Sequence, residues 1–114
     1  MHIGYMAYSE HVGSQKRKDG EKMTRFITKG VSEKVSPTLQ LLLWSLVDNM
    51  PPPKDYLQVF KLEEFKGKQK ITHRQEQPDY LREYLLYADT PIFIVKIFII
   101  DDGTHQTMLL ADEY

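Results

Sequence analysis

The segment Ile92-Phe-Ile-Val-Lys-Ile-Phe-Ile-Ile100 decides the fold. It is nine residues long and apolar everywhere except Lys96. A run this short, rich in β-branched and aromatic residues, reads as a strand. Successive side chains of a strand point to opposite faces. Phe93, Val95, Ile97 and Ile99 fall on one side; Ile92, Ile94, Phe98 and Ile100 fall on the other, interrupted by Lys96. Burying one large apolar side chain is worth about 1.5–3 kcal/mol, so a wet flank would forgo several such contributions. The strand therefore asks for cover on both faces and for paired neighbours at both edges. Lys96 reads as a gatekeeper against aggregation.

Downstream, Asp101-Asp-Gly103 is turn chemistry, with glycine where a positive φ is needed. Thr104–Asp112 returns as the partner strand, carrying Met108, Leu109, Leu110 and Ala111. Upstream, Ala88-Asp-Thr-Pro91 reads as a loop. Gln77–Tyr87 is ambiguous. Pro78 and Asp79 suit a helix start, and Tyr80, Tyr84 and Tyr87 share one helical side, but an irregular aromatic crossing fits equally. Either form is a candidate cover for the second face of the sheet. The other candidate is a second copy of the chain.

Ser36-Pro37 supplies an N-cap and a proline at the first helical position, and Pro51-Pro-Pro53 ends the helix that follows. Leu39, Leu42, Leu43, Leu46, Val47 and Met50 form its buried face. Leu41 and Trp44 lie on the opposite face beside Gln40, Ser45 and Asp48. Either a loop such as the proline-rich turn covers Trp44, or Leu41 and Trp44 form a partner contact, where tryptophan is a frequent anchor.

Thr24–Lys29 reads as a first strand bounded by Gly30. Asp55–Glu63 and Gln69–Glu76 form a β-hairpin around Phe65-Lys-Gly-Lys68. The polarity of the return strand suits a sheet edge. Residues 1–22 show no helix or strand period and read as a flexible arm, with a charged run ending at Lys22. Asp19-Gly-Glu-Lys-Met23 is also compatible with a ribosome-binding sequence ahead of a true start at Met23. Two organisational units follow: the arm at 1–22 and one domain at 23–114.

The chain has 114 residues with 15 basic against 16 acidic, so a general nucleic-acid binder is not expected. The basic triplet Lys16, Arg17 and Lys18 could touch phosphates, but such a short tail cluster is usually just solvated. There are no cysteines, which excludes disulfides, thiolate metal sites and a cysteine nucleophile. No apolar run approaches the roughly 20 residues of a membrane span, and no secretory h-region is present. A cytoplasmic location is the resulting expectation.

Common catalytic signatures are absent: no phosphate-cradling glycine loop, no GxSxG, no HExxH and no EF-hand loop. Two polar clusters remain, His73-Arg-Gln-Glu76 and Asp101-Asp-Gly-Thr-His105. Histidine beside carboxylates can act as a general base or metal ligand. His73, Glu76, Asp101, Asp102 and His105 are therefore the candidate catalytic residues of a small hydrolase or metal-dependent enzyme. That reading requires the two hairpins to bring His73 and His105 together. The plainer alternative is turn chemistry at Asp101–Gly103 and an ordinary edge-strand histidine. No resident metal or cofactor is expected.

Five segments occur together in order: Thr28-Lys-Gly-Val31, Leu39-Gln-Leu-Leu-Leu-Trp44, Asp55-Tyr-Leu-Gln-Val-Phe60, His73-Arg-Gln-Glu-Gln-Pro78 and Ile100-Asp-Asp-Gly-Thr-His-Gln-Thr-Met-Leu-Leu-Ala111. The set resembles a small Gram-positive bacterial family catalogued as domain of unknown function 960, over residues 24–114. The resemblance implies a small bacterial cytoplasmic protein and carries over no activity, substrate or catalytic residue.

These readings converge on a single α+β domain. About five strands form a largely antiparallel sheet, with the 36–49 helix packed on one face. The favoured function is a non-enzymatic protein-binding or regulatory module that self-associates as a dimer. The contact is expected at Leu41 and Trp44 or on the outer face of strand 92–100. The alternatives are the His/carboxylate enzyme and a nucleic-acid accessory protein using Lys16, Arg17 and Lys18.

Overall fold

The computed structural model describes the backbone of residues 5–7 and the whole of residues 24–114. In chain order the elements are β1 (Tyr5–Ala7), β2 (Thr24–Thr28), α1 (Lys29–Lys34), α2 (Pro37–Asn49), β3 (Leu57–Phe65), β4 (Lys68–Gln75), β5 (Tyr80–Leu86), β6 (Ile94–Asp101), β7 (His105–Leu110) and a closing 3-10 turn, Ala111–Glu113. Of the expected arm, Tyr5–Ala7 pairs with β2. Lys16, Arg17, Lys18 and Met23 lie outside the described residues.

One sheet holds every strand of the described residues, in the order β1-β2-β7-β6-β3-β4-β5. Residues 24–114 supply six of them, so the expected five-stranded sheet is one strand short. Neighbours are antiparallel except β2 and β7, which run parallel from Thr24 opposite His105 to Ile27 opposite Met108. The sheet is therefore mixed.

Both helices pack on one face. The Ser36 side chain accepts a hydrogen bond from the Leu39 N–H at 3.2 Å and so caps α2. Val31 and Val35 join Leu43, Trp44 and Val47 from α2. These meet Phe60, Leu62, Ile71, Ile97, Ile99 and Met108 from the strands in one core.

Three expectations need correction. Gly30 does not end a strand but lies inside α1, a short helix capped by Thr28, whose hydroxyl accepts from the Val31 N–H at 3.3 Å. Six residues are too few to display a helical period in the sequence. Residues 80–86 form neither a helix nor an irregular crossing. They are a strand, in register with β4 from Gln75 opposite Tyr80 to Gln69 opposite Leu86. The helical spacing of the tyrosines is incidental, because backbone pairing with β4 satisfies more groups than one short exposed helix would. Finally, β4 lies between β3 and β5 and is not an edge. Its polar residues Gln69, His73 and Gln75 are buried and hydrogen-bonded, so its polarity marks an internal network.

Segment 77–90 thus extends the sheet and does not cover its second face. On β6 the helix side is buried at Ile97 and Ile99. The helix-free side carries Phe98 and Ile100, half-buried, with Phe98 edge-on to Tyr114 at 5.8 Å. Further along that side Ile94 is 60% exposed. Phe93, just before the strand, is 78% exposed. The demand for complete cover of both faces is therefore met only in part. Lys61 on β3 stands directly opposite Lys96 and makes the middle of this face polar.

Candidate functional site

His73 and His105 do not meet. β4 and β7 are separated by β3 and β6, a lateral gap of roughly 14 Å over three strand spacings, and the register adds five residues along β7, because His73 lies in the row of Phe60, Ile97 and Leu110. They also belong to opposite faces. His73 is fully buried on the helix side, stacked on Phe60 with ring centroids 4.3 Å apart and edge-on to Tyr80 at 5.3 Å. His105 is partly exposed and edge-on to Phe26 at 5.1 Å.

His73 belongs to a buried amide chain. Its Nε2 donates to Gln58 Oε1 at 2.8 Å. Gln58 Nε2 donates to Gln75 Oε1 at 2.7 Å, and Gln75 Nε2 donates to the carbonyl of Pro78 at 2.9 Å. Asp55 N–H also donates to Gln75 Oε1, at 2.9 Å. The chain ties the loop before β3 and the turn after β4 to the sheet. Burial lowers the His73 pKa to about 4, so the ring is neutral at pH 7. The neutral imidazole is enclosed between the rings of Phe60 and Tyr80. Glu76, three residues along, is exposed in the turn.

Asp101, Asp102 and His105 gather at the β6–β7 turn and hydrogen-bond within it, and Gln106 Nε2 of β7 also donates to Asp101 Oδ2 at 3.4 Å. Asp102 Oδ1 accepts from the Thr104 and His105 N–H groups, both at 2.9 Å. Those backbone bonds, the one from His105 foremost, hold the carboxyl down at about 2. His105 Nδ1 lies 3.2 Å from Asp102 Oδ2 and 3.0 Å from Thr104 Oγ1. Asp101 Oδ1 accepts from the Gly103 N–H at 2.8 Å. Among the described residues, no group of three or more His, Cys, Asp or Glu side chains is arranged to hold a metal ion. The five candidate residues thus divide between a core network with its adjoining turn and the β6–β7 turn.

Leu41 and Trp44 also separate. Leu41 is 36% exposed, but Trp44 is completely buried, which corrects its expected place at a partner contact. Part of the cover comes from Arg25 of β2. Arg25 lies over the indole at 4.6 Å from its centroid, forms a buried ion pair with Asp48, and donates from Nε to Gln106 Oε1 at 3.0 Å. A helix face that looks exposed in isolation is therefore closed by a buried arginine. Only the tertiary arrangement supplies that partner.

A further stretch of accessible apolar surface lies at the β5 end of the sheet. Leu81 and Leu85 are 53% and 49% exposed on the helix-free face. In register terms, Leu85 continues the cross-sheet row of Lys70, Glu63 and Ile94. On the helix side of the same strand, a groove of about 670 Å³ runs between Leu39 and Leu42 of α2 and Leu86, Tyr87 and Ile92. Tyr87 is 94% exposed. The sequence offered one signal for this surface, the alternation of Leu81, Glu83 and Leu85, which the helical spacing of the tyrosines obscured.

No curated protein matches the chain. A solved structure described as "Crystal structure of the protein of unknown function from Enterococcus faecalis" is similar to it. The two share 26% identity and a TM-score of 0.71, over 79% of this chain and 89% of that one. The likeness spans nearly the whole of that protein, so the sheet and helices described above are a shared architecture. Residues 24–113 match the model of the family described as "Staphylococcal protein of unknown function (DUF960)", and the chain belongs to that family.

Proposed function

We propose that the chain is a non-enzymatic protein-binding module that self-associates, with its contact surface at the β5 end of the sheet. One observation carries this reading: Leu81 and Leu85 are half exposed on the last strand of a sheet that nothing continues among the described residues. Apolar side chains beside open backbone groups lose free energy to water on both counts. The helix-free centre of the sheet is a poorer place for a symmetric contact. A two-fold contact there would bring Lys61 and Lys96, already facing each other in one copy, against the same pair in the second.

The enzyme reading weakens with the separation of His73 from His105. Sedimentation of the full chain over a wide concentration range tests the proposal. A mass that rises toward twice the 13.4 kDa of one chain is expected. A single 13.4 kDa species at every concentration overturns it.

A further inference from the structure

We infer that β5 is a self-pairing edge: β5 of a second copy lies antiparallel beside it, with Glu83 on the two-fold axis, joining two sheets into one. This inference rests on the self-association reading above and names the interface. An edge strand presents a row of unpaired N–H and C=O groups that template another strand. Among the described residues, the two ends of this sheet differ in that respect. One end is the three-residue β1, and short edge strands offer little to pair with. The other is β5, seven residues long, without proline and without a bulge in its register with β4.

The usual charged protections of an edge are engaged within the chain. Arg82 is folded over the Tyr80 ring at 4.7 Å and donates to the Leu81 carbonyl at 2.9 Å. Glu83 is held by Lys70 at 3.6 Å, which offsets the like charge it would meet across the axis.

Antiparallel pairing of a strand with its own copy requires facing residues to share a sheet face, so the register moves in steps of two residues. Only with Glu83 opposite Glu83 do all seven residues of 80–86 find a partner. In that register Leu81 faces Leu85 of the second copy twice over, placing the exposed leucines against each other on the helix-free side. Arg82 faces Tyr84 of the second copy, an arginine-aromatic pair. Tyr80 faces Leu86 of the second copy, at the mouth of the apolar groove beside α2. Strand pairing gives affinity through the backbone and selectivity through these alternate side chains.

The chain has no cysteine, so a single introduced one reports its own copy. Facing residues in an antiparallel pair have Cα atoms about 4.5–5.5 Å apart, within the disulfide range. Glu83→Cys, oxidised with copper phenanthroline at a concentration where the chain sediments as a dimer, is expected to give a covalent dimer. Lys96→Cys is expected to remain monomeric on a denaturing gel. Leu81→Lys combined with Leu85→Lys is expected to shift the chain to monomer while its circular dichroism stays unchanged.

Cross-linking at Arg82→Cys or Tyr84→Cys in place of Glu83→Cys overturns the register. A chain that sediments as a dimer but cross-links at none of these three positions overturns the edge interface and leaves self-association standing. A chain that is monomeric throughout overturns both.

Discussion

The guanidinium of Arg25, from β2, lies 4.6 Å from the centroid of the Trp44 indole on α2. Both side chains are buried, and the same arginine is ion-paired to Asp48, one turn along α2 from the indole. One cation thus fastens the principal helix to the strand that pairs parallel with β7.

Removing that cation should leave the Asp48 carboxylate buried without its charge partner. Arg25→Ala is expected to cost roughly 3–5 kcal/mol by chemical denaturation, the usual penalty for breaking a buried pair from one side. Replacing both members, Arg25→Met with Asp48→Leu, is expected to recover most of the loss. A double variant as unstable as the single one would show that the ion pair itself, not the stranded charge, sets the cost.

His73 gives the fold a dependence on acid. Its folded pKa is about 4, below the ordinary 6.5, because burial penalises the imidazolium. Its contribution is therefore fully present above pH 6.5 and is lost as pH falls toward 4, since the unfolded chain takes up the proton first. The span of about 2.5 pH units corresponds to roughly 3 kcal/mol. Urea denaturation at stepped pH is expected to show this slope between those limits. His73→Phe, which keeps a ring between Phe60 and Tyr80, is expected to flatten it.

Gly30 marks a close approach, not a need for unusual backbone. A Cβ built there would lie 2.6 Å from Glu113 Oε2 and 2.8 Å from Leu110 Cδ1. The same carboxylate accepts from the Thr28 hydroxyl at 2.6 Å and the Leu110 N–H at 2.8 Å, so it cannot easily retreat. Alanine ordinarily favours a helix over glycine by about 1 kcal/mol. Here the clash is expected to win, and Gly30→Ala should destabilise by about 1–3 kcal/mol. In a Glu113→Ala background the penalty should shrink, which a double-mutant cycle read by thermal melting would measure.

Local chemistry specified much of this fold. Ser36-Pro37 and Pro51-Pro-Pro53 bracket α2 because capping and chain termination are decided within a few residues. The β3–β4 hairpin follows from Lys66-Gly67, where both residues adopt positive φ. The β6–β7 hairpin follows from Asp101–Gly103, where Gly103 adopts positive φ and the two aspartates accept from turn N–H groups. The family likeness of residues 24–113 was legible in the quoted segments for a related reason, as they hold these boundaries and strands.

Tertiary structure decided what depends on distant partners. Whether 80–86 became helix or strand turned on β4 offering a free edge, which no local period reveals. Trp44 became core because Arg25, 19 positions away, arrives over its ring. The His/carboxylate set failed to assemble because two whole strands stand between β4 and β7. Hydrophobic spacing tells a side chain which way to face. Which neighbour it meets there is settled only when segments far apart in the chain pair their backbones and close the core.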